Sequence, residues 1–515
     1  MPNTTRAIVI ALTTFAGVAS AQEISGAWKN DCASCHGSRL EGGTTPDGKK
    51  VDSLLDDNWL VTDGSDRALF DIIKNGSAKV PGHDFSGEKH PDRQVWSMVV
   101  HIREARARAT RKNSKAVDGV YATKLASFTL EEIVPGGVET PWSVDFVPSA
   151  TPKGLEKLAD AMLLTERGGA VRVVTKNVDG SWTMSSPIEG TPESVESGQG
   201  GMMDVAVHPD FASNGWIYLS FAQRGGGTAR RGTPTMTSVV RGKLEQTDGG
   251  WKWVNQETIF EAAADKFIAS GVHFGCRIVF DPPAYSDAKA DKRYVFWSIG
   301  ERGQGPHAQD LTRPNGKIHR LYDDGTLPKD NPFADAASKE KGYVQSIWTY
   351  GNRNAQGLAF DLEGNLIETE HAPRGGDEIN ILKKGANYGW PLVSFGIEYS
   401  GMPRTTPWPD VQGVSEEIEM PIDIWLPSIA ACGLDVVRAG PKGEAFPAWK
   451  GDLMAGGLAG QCVDRVRIEG GKVVERENVL RGVGRVRDVV TAPDGSVYVV
   501  LNGPDKVVRM APANK

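Results

Sequence analysis

From Ser143 onward, apolar and polar residues alternate in short runs, and each run stops at a turn rich in Pro, Asp and Gly. The pattern returns six times: SVDFVPSATPKG with MLLTERGGAVRVV, then DVAVHPDFASNGWIYLSFA, then RIVFDPPAY with RYVFWSIGERG, GLAFDLEGNLIETEHAP, LDVVRAGPKG with GDLMAGGLAG, and DVVTAPDGSVYVVLNGPDKVVRM. A period of two predicts half-buried β-strands, and their recurrence predicts a propeller or array. Six such units, with further strands between them, suit six four-stranded blades around a central channel that carries loops on one face. Ahead of the repeats the period changes. Leu69, Ile72 and Ile73 predict one helix, and RQVWSMVVHIREAR predicts a longer one with Val95, Trp96, Val99 and Ile102 on its packed face. REARARATRKNSK continues that helix and becomes a basic connector whose charges read as solvated.

Arg6, the apolar run Ala7 to Val18 and the small residues Ala19-Ser20-Ala21 read as an export signal cleaved after Ala21, which implies a periplasmic protein. The expected organisation is a signal peptide (1–21), a small all-α domain (22–108), a linker (109–120) and an all-β propeller (121–515). With 60 Gly, 30 Pro and 14 Trp in 515 residues, the composition suits a turn-rich β protein. A net charge of −7 gives no reason to expect nucleic acid. Beyond the first residues no apolar run is long enough to span a bilayer.

The all-α segment carries DCASCHG. Cys32, Cys35 and His36 form the C-x-x-C-H pattern of covalent c-type haem. The two thiols lie on one helical turn and add across the haem vinyls, while the adjacent imidazole reaches the iron. Three further cysteines remain. Cys432 and Cys462 share a repeat and are a possible disulfide. Cys276 begins a strand and reads as buried and inert.

Tyr350 to Pro391 holds more polar chemistry than packing requires: Arg353, Asn354, Gln356, His371, Arg374, Asp377 and Glu378. The rigid donor fork of Arg suits carboxylates and quinone oxygens, and carbonyls such as those of Ala372 and Pro373 suit a hard cation. The motifs GNRNAQGLAF and EHAPRGGDEINILKKGANYGWP resemble those of the soluble quinoprotein sugar dehydrogenases, the glucose/sorbosone dehydrogenase family, across residues 120–515. The resemblance implies a six-bladed propeller holding pyrroloquinoline quinone (PQQ) on calcium. Residues 24–110 likewise resemble a small class I cytochrome c.

What the resemblance implies can be placed residue by residue. His273, in HFGCR, is the expected base, and Arg353 steadies the developing oxyanion. Gln199, Arg353, Asn354, Gln356, Arg374, Arg485 and Arg487 are expected around PQQ. The carbonyls of Ala372 and Pro373 are expected on the cofactor's calcium, and Glu378 with the carbonyl of Tyr388 on a second, structural calcium. Three positions depart from the family. Val272 stands where an acid often orients the base. Ala459 stands where a Lys usually faces the cofactor, so that Arg374 is a candidate substitute. Val80 stands where the cytochrome's Met ligand is expected, which leaves His83, with His90 and Met98 as alternatives, for the sixth position. A bis-His iron would have the lower potential.

The expected activity is oxidation of an aldose-type sugar, or a related alcohol or aldehyde, with electrons passing to the fused haem and then to an external periplasmic acceptor. The haem domain is expected to dock over the open face of the propeller, near the cofactor loops. The competing readings are a calcium-dependent hydrolase of the lactonase type and a propeller that has lost PQQ and serves in binding or electron carriage.

Overall fold

A computed structural model describes residues 28–55, 64–76, 91–134, 136–226, 232–282, 292–401 and 417–513. The stretch expected to be an export signal, His83 and His90 lie outside these residues.

The six repeats are six antiparallel sheets. Their innermost strands are Pro141–Phe146, Met202–Val207, Ile278–Phe280, Ala355–Phe360, Ala431–Val436 and Arg485–Thr491. Five sheets have four strands in sequence order. The sixth blade is closed by an earlier part of the chain: Lys506–Pro512 pairs with Ser127–Val134, Met510 standing opposite Leu130. Pairing the two ends of the propeller in one sheet leaves the ring no open blade.

The apolar positions of the alternation fill the spaces between neighbouring blades. Ala359, Ile367 and Ile379 of the fourth blade share a cluster with Ala431, Leu434 and Leu453 of the fifth. Polar residues tie the same neighbours near the channel. Hydroxyls of Thr165, Ser298 and Thr369 donate to Met203, Ala355 and Cys432 carbonyls of the next blade, at 2.5, 2.9 and 2.8 Å. Carboxylates of Asp145, Asp204 and Asp435 accept from Val207, Ile278 and Thr491 amides of the next blade, at 2.6, 2.7 and 2.7 Å. Each such bond satisfies a buried main-chain group that no ladder reaches.

The all-α domain has three short pieces: α1 (Ala33–His36), continuing a π-helical turn from Trp28, α2 (Asp66–Asn75) and α3 (Asp92–Thr110). Ser65 caps α2 by accepting from the Ala68 amide at 3.2 Å, and Gly76 ends it at φ +69°. Of the residues that predicted this helix, Leu69 and Ile73 are buried and Ile72 is half-buried. Phe70 is buried as well and stacks on Trp96 at 4.8 Å.

α3 buries more than one stripe. Val95, Trp96, Met98, Val99 and Ile102 face the domain's own core, which also takes in Ile397 of the propeller. Val100 and Glu104 are buried as well, against the propeller loop Arg374–Gly375. The basic stretch is therefore engaged, contrary to the expectation that its charges are merely solvated. Arg103 pairs with Asp66 at 2.5 Å, and Arg111 donates to the Gly460 carbonyl at 2.6 Å. Ser114 and Arg481 exchange two hydrogen bonds, at 3.0 and 2.9 Å. No helix among the described residues is long and apolar enough to cross a membrane.

Candidate active site

The segments leading into the innermost strands meet at one end of the channel, and contacts run around the ring. The His273 amide donates to Gln199 Oε1 at 2.8 Å, joining the second and third blades. The Gly275 amide donates to Asn354 Oδ1 at 3.1 Å, and Gln356 Nε2 donates to the Gly275 carbonyl at 3.0 Å, joining the third and fourth. Cys432 Sγ lies 3.5 Å from Gln356 Oε1, and Arg487 Nη1 lies 3.6 Å from Cys432 Sγ. The Arg487 guanidinium sits 4.1 Å from the ring centre of Trp142 in the first blade.

His273 adopts φ +53°, a left-handed conformation uncommon for a residue of its size. A surrounding frame holds it there. Gly275 is needed in the same turn, because a Cβ would come within 2.8 Å of the Ser298 carbonyl. The buried Arg302 donates to the carbonyls of Val272 and Thr235, both at 2.9 Å, and to that of Ser270. Its guanidinium also lies 3.5 Å from the ring centre of Phe274.

The missing acid at Val272 is supplied from elsewhere. Glu301 follows the neighbouring strand Tyr294–Ile299, and its Oε1 bonds His273 Nδ1. Nδ1 therefore carries its proton toward Glu301, and the basic lone pair falls on Nε2. Burial, the largest influence, lowers the His273 pKa; Glu301 opposes it and Arg353 adds to it. The ring is thus neutral near pH 7, as a general base must be. Glu301 stood in the quoted repeat RYVFWSIGERG, but nothing in the spacing links it to His273.

Arg353 is buried. Its amide donates to Glu370 Oε1 and its Nη1 to the His371 carbonyl, both at 2.6 Å. The guanidinium lies 5.1 Å from the Trp390 ring centre and 3.5 Å from the Tyr399 hydroxyl, two contacts the sequence did not suggest. Its Nε is buried without a partner among the described residues.

Other expected residues take different stations. Asn354 and Gln356 brace the turn after His273 with Oδ1 and Nε2. Arg485 is exposed at the start of its strand, while Arg487, two residues on, is buried. Arg374 is a correction. Its main chain pairs with Ile397 in both directions, and its guanidinium is held by both oxygens of Glu104 on α3, at 2.8 and 2.6 Å, instead of standing free for a cofactor.

Ala372 and Pro373 lie in a loop shaped by Asp377, which accepts from the Ala372 amide at 3.0 Å and the Ala431 amide at 2.9 Å. Glu378 faces Glu370 across the strand pair, with Glu368 nearby. Burial first, then repulsion from Glu368 on Glu370 and from Glu370 on Glu378, pushes both carboxyls well above the usual range. Tyr388 uses its hydroxyl on the Ile381 carbonyl at 2.7 Å. The suggested Cys432–Cys462 bridge is absent; both are buried free thiols, as is Cys276. Cys432 is the second residue of the innermost strand of its blade and Cys462 opens the third, and the two sit in different core clusters.

The donor sets fit the PQQ and the haem that the sequence implied. Among the described residues no carboxylate pairs with Arg353, Arg485 or Arg487, and three unpaired guanidinium groups at one channel end suit a flat polyanion. In the all-α domain Cys32 and Cys35 lie on one turn beside His36, with Trp28 packed 6.0 Å from that imidazole. Met98 is wholly buried in the domain core.

A family model described as Glucose / Sorbosone dehydrogenase matches residues 138–509, and one described as Cytochrome C oxidase, cbb3-type, subunit III matches residues 19–102. An aldose sugar dehydrogenase of Escherichia coli is 36% identical over 387 residues, 74% of this chain and 93% of that protein. Quinoprotein glucose dehydrogenase B of Acinetobacter calcoaceticus is 27% identical over 373 residues, 59% of this chain and 73% of that one. The crystal structure of the soluble aldose sugar dehydrogenase from Escherichia coli in the apo-form superposes with a TM-score of 0.61 at 34% identity, covering 75% of this chain and 99% of that one.

Proposed function

Because the chain belongs to the glucose/sorbosone dehydrogenase family and carries a cytochrome c domain ahead of its six-bladed propeller, we propose that it is a periplasmic quinohaemoprotein dehydrogenase. Its substrate is an aldose-type sugar or a related alcohol or aldehyde. The observation that carries this reading is the channel end itself: a neutral, oriented imidazole stands among arginines that have no carboxylate partner.

His273 Nε2 takes the proton of the substrate hydroxyl, and the charge that imidazole gains is met by Glu301 at Nδ1. Arg353, fixed by the His371 carbonyl, faces the developing oxyanion with a preorganised donor. Arg302 holds the turn that presents His273. PQQ would be held by Arg353, Arg485 and Arg487, with Gln199 and Asn354 beside it, and by calcium on the carbonyls of Ala372 and Pro373. Cys32, Cys35 and His36 would hold the haem, with His83 or Met98 as the sixth ligand. When bound, the quinone supplies a two-electron hydride acceptor and the haem a one-electron acceptor. Glu378 and the carbonyl of Tyr388 are proposed for a second calcium. An external periplasmic protein or dye takes the electrons onward.

The lactonase-type reading would place carboxylates where Arg353, Arg485 and Arg487 stand. The decisive experiment is the absorption spectrum of the protein reconstituted with PQQ and calcium. Adding sugar should bleach the quinone band and reduce the haem. An unchanged spectrum with a panel of aldoses, alcohols and aldehydes would remove the dehydrogenase reading.

A further inference from the structure

The loop proposed to carry the cofactor's calcium carbonyls also forms the seat of the all-α domain. Arg374 follows Pro373 directly, and Glu104 of α3 grips it with both oxygens. Arg374 is 9% exposed and Glu104 7%, so the pair is largely withdrawn from water. Such a pair offsets its desolvation only while both partners are in place; removing one strands the other charge.

The surrounding contacts are apolar. Gly375 adopts φ +83°, and a Cβ there would meet Val100 of α3 at 3.4 Å and Leu426 at 2.7 Å. Ile397, paired through its main chain with Arg374, is 2% exposed within the core of the all-α domain, with Phe395 and Leu426 against it. Separating the domains would return this surface to water together with two charges. A tether that lets a domain swing would leave its connector free, yet Arg111 and Ser114 are fastened to the fifth blade.

On the functional side the path is short. Arg353 donates to the His371 carbonyl, and His371, Ala372, Pro373 and Arg374 follow in sequence. Glu104 is thus one loop away from the residue proposed to steady the oxyanion.

We propose that Glu104 is a positioning residue that latches the cytochrome domain onto the cofactor loop through Arg374, so that electrons cross within one docked arrangement and no domain swing intervenes. The electron-transfer part rests on the function proposed above; the latch does not.

The test uses the full chain with haem attached, as wild type, Glu104→Gln and Glu104→Asp. Val100→Asp breaks the same contact by a different route, and retention of the haem spectrum certifies that each variant has folded. Trypsin cleavage after Arg111, Lys112 or Lys115 reads undocking without reference to activity. Glu104→Gln should raise the cleavage rate by about tenfold or more, since each 1.4 kcal/mol lost from docking is tenfold in the undocked population. Val100→Asp should do the same, and Glu104→Asp should restore much of the protection. In the reconstituted protein, quinone bleaching by sugar should be unchanged in Glu104→Gln. Haem reduction should slow and become dependent on solvent viscosity, whereas in wild type it is not. Wild-type cleavage rates in both Glu104→Gln and Val100→Asp would overturn the latch. If sugar bleaches nothing even in wild type, the functional reading fails, and the cleavage arm still decides the latch.

Discussion

Buried arginines of the propeller channel are treated in opposite ways: Arg277 is paired with carboxylates, and Arg353 and Arg487 are not. Just before the innermost strand of the third blade, Arg277 Nη1 meets Asp204 at 2.6 Å and Asp488 at 2.9 Å, with the Ser143 hydroxyl at 3.3 Å. Its charge is answered twice, and the aspartates in turn tie neighbouring blades. At the channel end, Arg353 leans on the His371 carbonyl and the Trp390 ring and Arg487 on the Asn502 amide oxygen and the Trp142 ring, Arg485 is exposed, and among the described residues no carboxylate forms an ion pair with any of the three. A cation compensated from all sides is a structural plug. Buried cations left without an ion-pair partner, as Arg353 and Arg487 are, store free energy that an anionic ligand can recover.

The largest effect is expected at the imidazole oriented by Glu301. Exchanging His273 for Gln should lower turnover by about 10²–10⁴-fold, the usual worth of a general base, while PQQ affinity changes little. Steady-state kinetics at saturating cofactor measure this, and near-normal turnover would remove His273 from its role. At the plug, Arg277→Met should cost about 3–5 kcal/mol of folding stability by stranding Asp204 and Asp488. At the open end, Arg487→Met should change stability by less than about 1 kcal/mol but weaken PQQ binding about 10–100-fold, as expected for one charged contact. Urea unfolding and calorimetric titration of both variants decide the matter: equal stability losses would erase the distinction between plug and open end.

The smallest effect concerns pH. Burial lowers the His273 pKa, so kcat/KM should hold through neutrality and fall only on the acid side of about 6.5, the ordinary imidazole value. Glu301 works in the raising direction, so Glu301→Gln should move that acid limb to lower pH and reduce kcat by roughly tenfold. An acid limb that stays in place, or moves to higher pH, would mean that Glu301 does not tune the base.

The blades were legible because alternation and turn residues are local signals, and the quoted repeats became the first two strands of each sheet. His273, Gln199, Asn354, Gln356 and Arg353 were legible as motifs, and the fold gathers them at one end. What escaped the sequence were pairings across long separations. Glu301 lies 28 residues from His273, and Glu104 lies 270 from Arg374. Arg374 was misassigned for the same reason. Its motif placed it beside the cofactor loop, but the direction of its side chain was set by Ile397 and by a helix in another domain.

The arginine-lined end of the propeller and the haem are proposed to form one intramolecular oxidation path. Stopped-flow mixing of sugar with the reconstituted protein, followed at the haem band over a range of protein concentrations, tests it most directly. Haem reduction should follow quinone bleaching with a first-order rate independent of protein concentration. A rate rising in proportion to protein concentration would show electrons passing between molecules and would contradict it.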